Sequence, residues 1–176
     1  MDEGLDAGTQ AADGGFAAQI SQLAAGFDGP LMVLAHTGDK AGEKIALHGK
    51  SRLLVPVNGT SQSRRAAEVA FALARATGAA VEALFVSQNE GRTRTTLREE
   101  SVLRDMTELA ARYDVTITTR ISKRSAPAGA ILTEARNGFS MIVMGGSARP
   151  GEELFFGNTV TAVLKDWKAP ILMLAS

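Results

Sequence analysis

The stretch that decides the fold is RLLVPVNGTSQSRRAAEVAFALARATGAAVEALFVS (52–87). Its first and last pieces, 52–58 and 79–87, are short apolar runs of the kind found in strands buried on both faces. The middle piece, 59–78, begins with Ser and Thr residues that suit a helix start and ends with Gly78, which suits a helix stop. The pattern predicts a strand–helix–strand unit with parallel strands.

The same alternation continues to the end of the chain and predicts an α/β domain. Polar and apolar residues alternate in DVTITTRIS (114–122), as expected for a half-buried edge strand. The sequence predicts a doubly wound, five-stranded parallel sheet of order 3-2-1-4-5 with helices on both faces. The remaining elements are expected as helices at 95–112, 126–138 and 157–167, and strands at 139–146 and 169–176.

The N-terminal part resembles the C-terminal part at an offset of 140 residues. GPLMVLA (29–35) then falls on APILMLA (169–175), and Phe16 falls on Phe156. Our interpretation is that 16–50 is a helix-strand remnant of a preceding similar domain plus a linker. The strand in it could join the sheet as an N-terminal extension. The alternative is that helix–Pro–strand units resemble one another by chance. The Gly-, Ala- and Asp-rich residues 1–15 are expected to be disordered, and 51–176 forms the main domain.

Composition narrows the functional classes. Lys plus Arg and Asp plus Glu number 19 each, so the zero net charge gives no general attraction to nucleic acid. The absence of cysteine excludes disulfides and thiolate metal sites, and His36 and His48 are interpreted as surface residues. No apolar run has the length of a membrane span and the acidic start is unlike a secretion signal. We expect a soluble chain without direct membrane insertion, possessing no metal of its own.

Ligands of doubly wound sheets bind at the carboxyl ends of the strands, where the strand order reverses. Here that point lies between the predicted strands ending at Asn58 and at Gly146, beside MGGSARPGEELFFGNTV (144–160). Glycines and a helix start at Gly157 suit a phosphate, which needs backbone N–H groups and a positive helix end. Arg149 would add a charge. The alternative is a tight turn followed by a capped helix.

Catalytic signals are weak in this sequence. Glu152 and Glu153 are adjacent and therefore diverge, and no serine has a placed histidine or lysine partner. We expect that the chain is not an enzyme. A slow nucleotide hydrolase or kinase-like enzyme is the remaining enzymatic alternative, although neither a general base nor a carboxylate for Mg²⁺ is evident.

At this point LLVPVNGTSQSRRAAEVAFALA (53–74) and MIVMGGSARPGEELFFGNTVTAVLKDWKAPILMLA (141–175) resemble the universal stress protein family, over 51–176 as a whole. That family closes with Gly-x-x-Gly, a spacer and Gly-Ser/Thr, and binds ATP or AMP there. The chain departs from the pattern at Arg149, which occupies the place of the second glycine, and at Asn58, where the family usually has Asp. The resemblance implies an adenine-nucleotide site formed by Pro56, Val57, Asn58, Val86, Met144, Gly145, Gly146, Ser147, Arg149, Gly157, Asn158 and Thr159.

Within that family, VPVNGTSQSRRAAEVAFALARA (55–76) and RPGEELFFGN (149–158) look most like cytoplasmic domains fused behind the membrane part of sodium/proton (monovalent cation/proton) antiporters. This resemblance implies a cytoplasmic regulatory domain of an inner-membrane protein, with a transport domain in the same polypeptide. A free-standing stress protein with an N-terminal extension is the alternative. The apolar last strand is also expected to be an exposed edge that pairs two chains as a homodimer. A dimerisation or interaction module that binds no nucleotide is the alternative function.

Overall fold

The protein is described by a computed structural model, and its strands and helices alternate along most of the chain. The structure describes residues 30–36, 45–87, 93–123, 126–146 and 157–175, without the side chains of 93–96. The helical part of the predicted helix-strand remnant at 16–50 and the predicted disorder at 1–15 lie outside these residues. The strands are β1 (Leu31–Ala35), β2 (Arg52–Val57), β3 (Ala80–Val86), β4 (Ile117–Ser122), β5 (Met141–Gly146) and β6 (Ile171–Ala175). The helices are α1 (Ser61–Thr77), α2 (Thr93–Ala111), α3 (Pro127–Ala135) and α4 (Asn158–Asp166).

The six strands form one mixed sheet of order β1-β6-β5-β2-β3-β4. Strands β2 to β6 run parallel to one another, so the α/β class is confirmed. Counted from β2 as the first strand, these five parallel strands have the predicted order 3-2-1-4-5, and β4 lies at the predicted edge. The strand order reverses between β2 and β5, and this places a crevice at their carboxyl ends.

The prediction of a five-stranded, all-parallel sheet is wrong in one respect. Strand β1 pairs antiparallel with β6 over its whole length, from Leu31 opposite Ala175 to Ala35 opposite Ile171. The last strand is therefore not the exposed edge that the predicted homodimer contact assumed. An apolar strand with unpaired backbone groups is a ready partner for another strand, and within this chain β1 takes that position.

Helices cover both faces of the sheet, as predicted, because its central strands are apolar on both sides. On one face α1 and α2 pack over β2 and β3, and Phe71 is fully buried there. On the other face α3 and α4 pack over β5 and β6, around Ile142 and Met173. The two layers hold the starts of α1, α3 and α4 near the carboxyl end of the sheet.

A group of charged side chains fixes α3 to the sheet at the end opposite the crevice. The buried Glu82 carboxylate accepts a hydrogen bond from Arg120 Nε at 3.2 Å and lies 3.8 Å from the Arg52 guanidinium. Arg120 Nε also lies 3.5 Å from Glu134 on α3, and Arg52 stacks 4.0 Å from the centre of the Phe139 ring. These contacts join β2, β3, β4 and α3, so the position of α3 depends on them.

Candidate functional site

A cavity of about 310 Å³ opens at the crevice between the carboxyl ends of β2 and β5. Helices α1, α3 and α4 all begin around it. Its volume is at the lower end of the range for small-molecule sites, about 300–1,000 Å³. Its lining residues are Pro56, Val57, Asn58, Thr60, Gln62, Ser63, Leu84, Val86, Pro127, Ile131, Met144, Gly145, Gly146, Gly157, Asn158, Thr159 and Val160.

The structure brings most of the sequence-predicted site residues together at this cavity. Ser147 and Arg149 lie outside the described residues, so their part in the site stays a prediction. The ten that line the cavity are Pro56, Val57, Asn58, Val86, Met144, Gly145, Gly146, Gly157, Asn158 and Thr159.

The start of α1 forms a polar wall whose groups already bond to one another. Asn58 Oδ1 accepts hydrogen bonds from the Thr60 backbone N–H at 3.1 Å and from the Thr60 hydroxyl at 2.7 Å. Thr60 is the N-cap of α1, and its side chain accepts from the Ser63 backbone N–H. The amide oxygen of Asn58 therefore faces its own loop and already accepts two hydrogen bonds without any ligand.

Gly145 has a packing role that the sequence did not suggest. A methyl group on Gly145 would collide with the carbonyl group of Gln62 and would stand 2.7 Å from the backbone nitrogen of Ser63. The first turn of α1 thus lies directly against β5. Gly145 was predicted as a phosphate-contacting residue, but one face of it is filled by protein backbone. Its effect is to hold the start of α1 at the cavity.

The start of α4 lies open at the cavity. Gly157 is its N-cap residue, with φ 99° and ψ 159°, a conformation that essentially only glycine adopts. No side-chain hydrogen bond from the described residues caps this helix, unlike α1. The first backbone N–H groups of a helix have no partner inside it and attract anions. Asn158 and Thr159, which the resemblance places in the nucleotide site, are the first two residues of the helix.

The opposite wall of the cavity is apolar. Leu84 and Met144 are buried on neighbouring parts of the sheet, Val86 is half-buried, and Ile131 reaches the cavity from α3. Sequence reasoning missed Leu84 and Ile131 because an apolar residue inside a strand or helix gives no signal that it borders a cavity. It also missed Thr60, Gln62, Ser63, Pro127 and Val160, and the only available signal was their closeness in sequence to predicted helix starts.

The described part of the lining carries no charged side chain. Within the described residues, no three His, Cys, Asp or Glu side chains come together as a metal site. None of the described helices is long and apolar enough to cross a membrane. The chemistry that the cavity offers is hydroxyl and amide groups, a helix N-terminus and an apolar wall.

Comparison with known proteins supports the family that the sequence resembles. Residues 50–175 match the Universal stress protein family. The chain belongs to the universal stress protein family. The match spans β2 to β6 and all four described helices. A comparison with curated proteins gave no match.

Solved structures of universal stress proteins have the same fold. One from Archaeoglobus fulgidus, in complex with dAMP, is 15% identical, with a TM-score of 0.60 over 74% of this chain and 99% of that chain. One from Arabidopsis thaliana with AMP bound is 14% identical, with a TM-score of 0.57 over 72% and 92%. A third, in complex with cAMP, is 19% identical, with a TM-score of 0.57 over 70% and 95%. At these identities the likeness shows the fold.

Proposed function

We propose that this chain is a nucleotide-responsive regulatory domain that binds an adenine nucleotide in the cavity between β2 and β5. The observation that carries the proposal is the open start of α4, at Gly157, on the same cavity as the apolar wall of Leu84, Val86 and Met144. An adenine nucleotide matches this arrangement, because it has a flat base for the apolar wall at one end and a phosphate for the helix start at the other. The dAMP, AMP and cAMP complexes of universal stress proteins support the choice.

The cavity offers a place for each part of the nucleotide. The adenine ring lies against Val86, Ile131 and Met144, where its removal from water is favourable. The phosphate lies at the first turn of α4, where backbone N–H groups and the helix dipole favour negative charge. The ribose lies between them, beside Asn58. Ser147 and Arg149 follow β5 in the sequence, and their contact with the phosphate is proposed from the family resemblance alone.

We also propose that the bound nucleotide controls a partner and is not a substrate for chemistry. Support comes from the described lining, whose side chains are hydroxyl, amide and apolar groups. None of these is a side chain of the kind that usually acts as a general base. The partner is the transport domain of a cation/proton antiporter in the same polypeptide, and the domain is then cytoplasmic. The support for this partner is the resemblance carried by 55–76 and 149–158. Regulation requires that the nucleotide bind two states of the assembly with different affinities.

The direct test is isothermal titration of the purified chain with adenosine, AMP and ATP, each with and without Mg²⁺. Micromolar binding of AMP, tighter than that of adenosine, is expected because the open helix start contacts the phosphate. No heat at millimolar nucleotide would contradict the proposal. The regulatory step is then tested by cation/proton exchange in membrane vesicles that carry the full polypeptide, where added AMP should change the rate.

A second candidate is an interaction module that binds no nucleotide. Two observations favour it: the Asn58 amide oxygen is already used by Thr60, and Gly145 is already covered by the backbone of Gln62. Two predicted ligand-contacting groups thus take part in the fold itself. The same titration separates the candidates, since a module of this kind would bind a protein partner equally well with and without nucleotide.

A further inference from the structure

Strands β1 and β6 are related by a two-fold axis perpendicular to the sheet. At the offset of 140 residues, LMVLA (31–35) corresponds to ILMLA (171–175), and Val33 is the counterpart of Met173. In the sheet these two counterparts stand directly opposite each other in the antiparallel pair. A two-fold axis at this point exchanges the strands and keeps each face of the sheet on its own side. Val33 and Met173 accordingly both pack into the core layer of α3 and α4.

The same offset relates α4 to residues 18–26, which precede β1 in the sequence. Both segments reach their strand through a connection that ends in proline, Pro30 before β1 and Pro170 before β6. The side chains that α4 and its connection bury in the core belong to Val160, Val163, Leu164 and Trp167. Their counterparts are all apolar: Ile20, Leu23, Ala24 and Phe27. The segment therefore repeats the apolar stripe with which α4 covers the sheet.

The two faces of β1 differ in burial. On the face of α3 and α4, the alternate residues Leu31, Val33 and Ala35 are half-buried and pack against that core. On the other face, Met32 and Leu34 are 57% and 52% exposed. The corresponding residues of β6 pack in the core layer of α1 and α2, and at this offset α1 has no counterpart in the chain. Only the face of α3 and α4 thus has a repeated helix available to cover it.

We propose that residues 18–27 dock as a second copy of α4 on β1, beside α4 and on the same face of the sheet. The two-fold relation places the segment over Leu31, Val33 and Ala35, antiparallel to α4. Nine helical residues span about 14 Å and five strand residues about 17 Å, so the lengths match. The occupant is this segment because it is joined to β1 through 28–30, which gives it a high effective concentration at that surface. The proposal is independent of nucleotide binding.

Docking of the segment would place α4 between two helices. α3 packs against α4 and against β3, whereas β1 lies beyond β6 at the other end of the sheet. A helix on β1 therefore meets the flank of α4 that is turned away from α3. Packing on both flanks fixes the helix whose start opens at the cavity.

Two neighbouring alanines give a matched test in the full chain. Ala24 corresponds to the buried Leu164, and Ala25 corresponds to the exposed Lys165. Ala24→Asp should lower the midpoint of thermal unfolding by at least about 5 °C, because it buries a carboxylate without a partner. Ala25→Asp places the same charge in the same turn and should lower the midpoint by less than about 2 °C. Equal midpoints for the two variants would overturn the proposal.

Single-cysteine labelling identifies the face on which the segment docks, since the chain contains no cysteine of its own. Below the unfolding midpoints, adding Ala24→Asp to Val33→Cys should raise the rate of reaction with a maleimide at least about tenfold, because the thiol loses its cover. Adding it to Leu34→Cys, on the opposite face, should leave the rate unchanged. Ala25→Asp is the control and should change neither rate. A faster reaction at Leu34→Cys, or no change at Val33→Cys, would overturn the proposal.

Discussion

The Cα of Gly145 lies against the backbone of Gln62, so β5 and the first turn of α1 touch without any side chain between them. This contact places the start of α1 at the cavity, where α4 also begins. The hydrogen-bonded group of Asn58 and Thr60 depends on the same placement, since Thr60 is the N-cap of α1. A glycine that resembles a ligand contact in the sequence is, in the structure, a requirement of helix packing.

Gly145→Ala should therefore destabilise the domain. The added methyl group meets the Gln62 carbonyl and the Ser63 nitrogen, which are backbone atoms that cannot turn away. We expect the free energy of unfolding to fall by about 1–3 kcal/mol, the usual cost of overpacking. Gly129→Ala is the control, because a methyl group at this α3 position meets only Ala126 at 3.9 Å. It should stabilise by roughly 0.5–1 kcal/mol, and urea unfolding measures both. Equal effects of the two substitutions would contradict the packing role.

Glu82→Gln should weaken the attachment of α3 to the sheet. The substitution removes the charge that faces Arg52 and Arg120 in a buried position. Both arginines are about half-exposed and keep water, so we expect a loss of about 1–3 kcal/mol in the free energy of unfolding. Glu68→Gln removes the charge from the partly exposed pair of Arg64 and Glu68 on α1 and should cost less than about 0.5 kcal/mol. Thermal unfolding of the two variants gives the comparison. If Glu82→Gln leaves the free energy of unfolding unchanged, the charged group is dispensable.

Much of the fold could be predicted because its signals are local. Each apolar run such as 52–58 identifies a buried strand, and each Ser, Thr or Gly at a boundary identifies a helix end. The position of the cavity followed from the strand order alone. The pairing of β1 with β6 could not be derived in this way. The repeat at 29–35 indicated a strand, but only three-dimensional pairing shows which edge that strand occupies.

The composition of the site was harder to predict than its place. Asn58 and Gly157 were found because they follow a strand or precede a helix. Leu84 and Ile131 were missed because cavity-lining and core residues have the same apolar pattern. The packing role of Gly145 could not be predicted, since a glycine needed for close backbone packing looks the same in a sequence as one that contacts a phosphate. Which of these groups contacts a ligand stays a prediction, and two isosteric substitutions address it.

Asn58→Asp is expected to tighten the binding of every adenine nucleoside. The new carboxylate keeps the acceptor that Thr60 uses at 2.7 and 3.1 Å, so the loop should stay folded. Its second oxygen can accept a charge-assisted hydrogen bond from a ribose hydroxyl. The Asn58 side chain is uncharged, so its hydrogen bond to the same hydroxyl is weaker. We expect the dissociation constants of adenosine and AMP to fall together by about fivefold, or ~1 kcal/mol. Weaker AMP binding with unchanged adenosine binding would instead place the phosphate at Asn58.

Asn158→Asp should have opposite effects on stability and on nucleotide affinity. The first turn of α4 contains no acidic residue, so a carboxylate there should stabilise the helix by about 0.3–1 kcal/mol. The same charge repels a phosphate bound at that helix start, and we expect the dissociation constant of AMP to rise about tenfold. Adenosine, which has no phosphate, is the matched control and should bind as before. Calorimetric titration with both ligands and thermal unfolding of the free protein measure the two effects. If Asn158→Asp weakens adenosine as much as AMP, the substitution has altered the cavity as a whole, and the assignment of the phosphate to α4 is wrong.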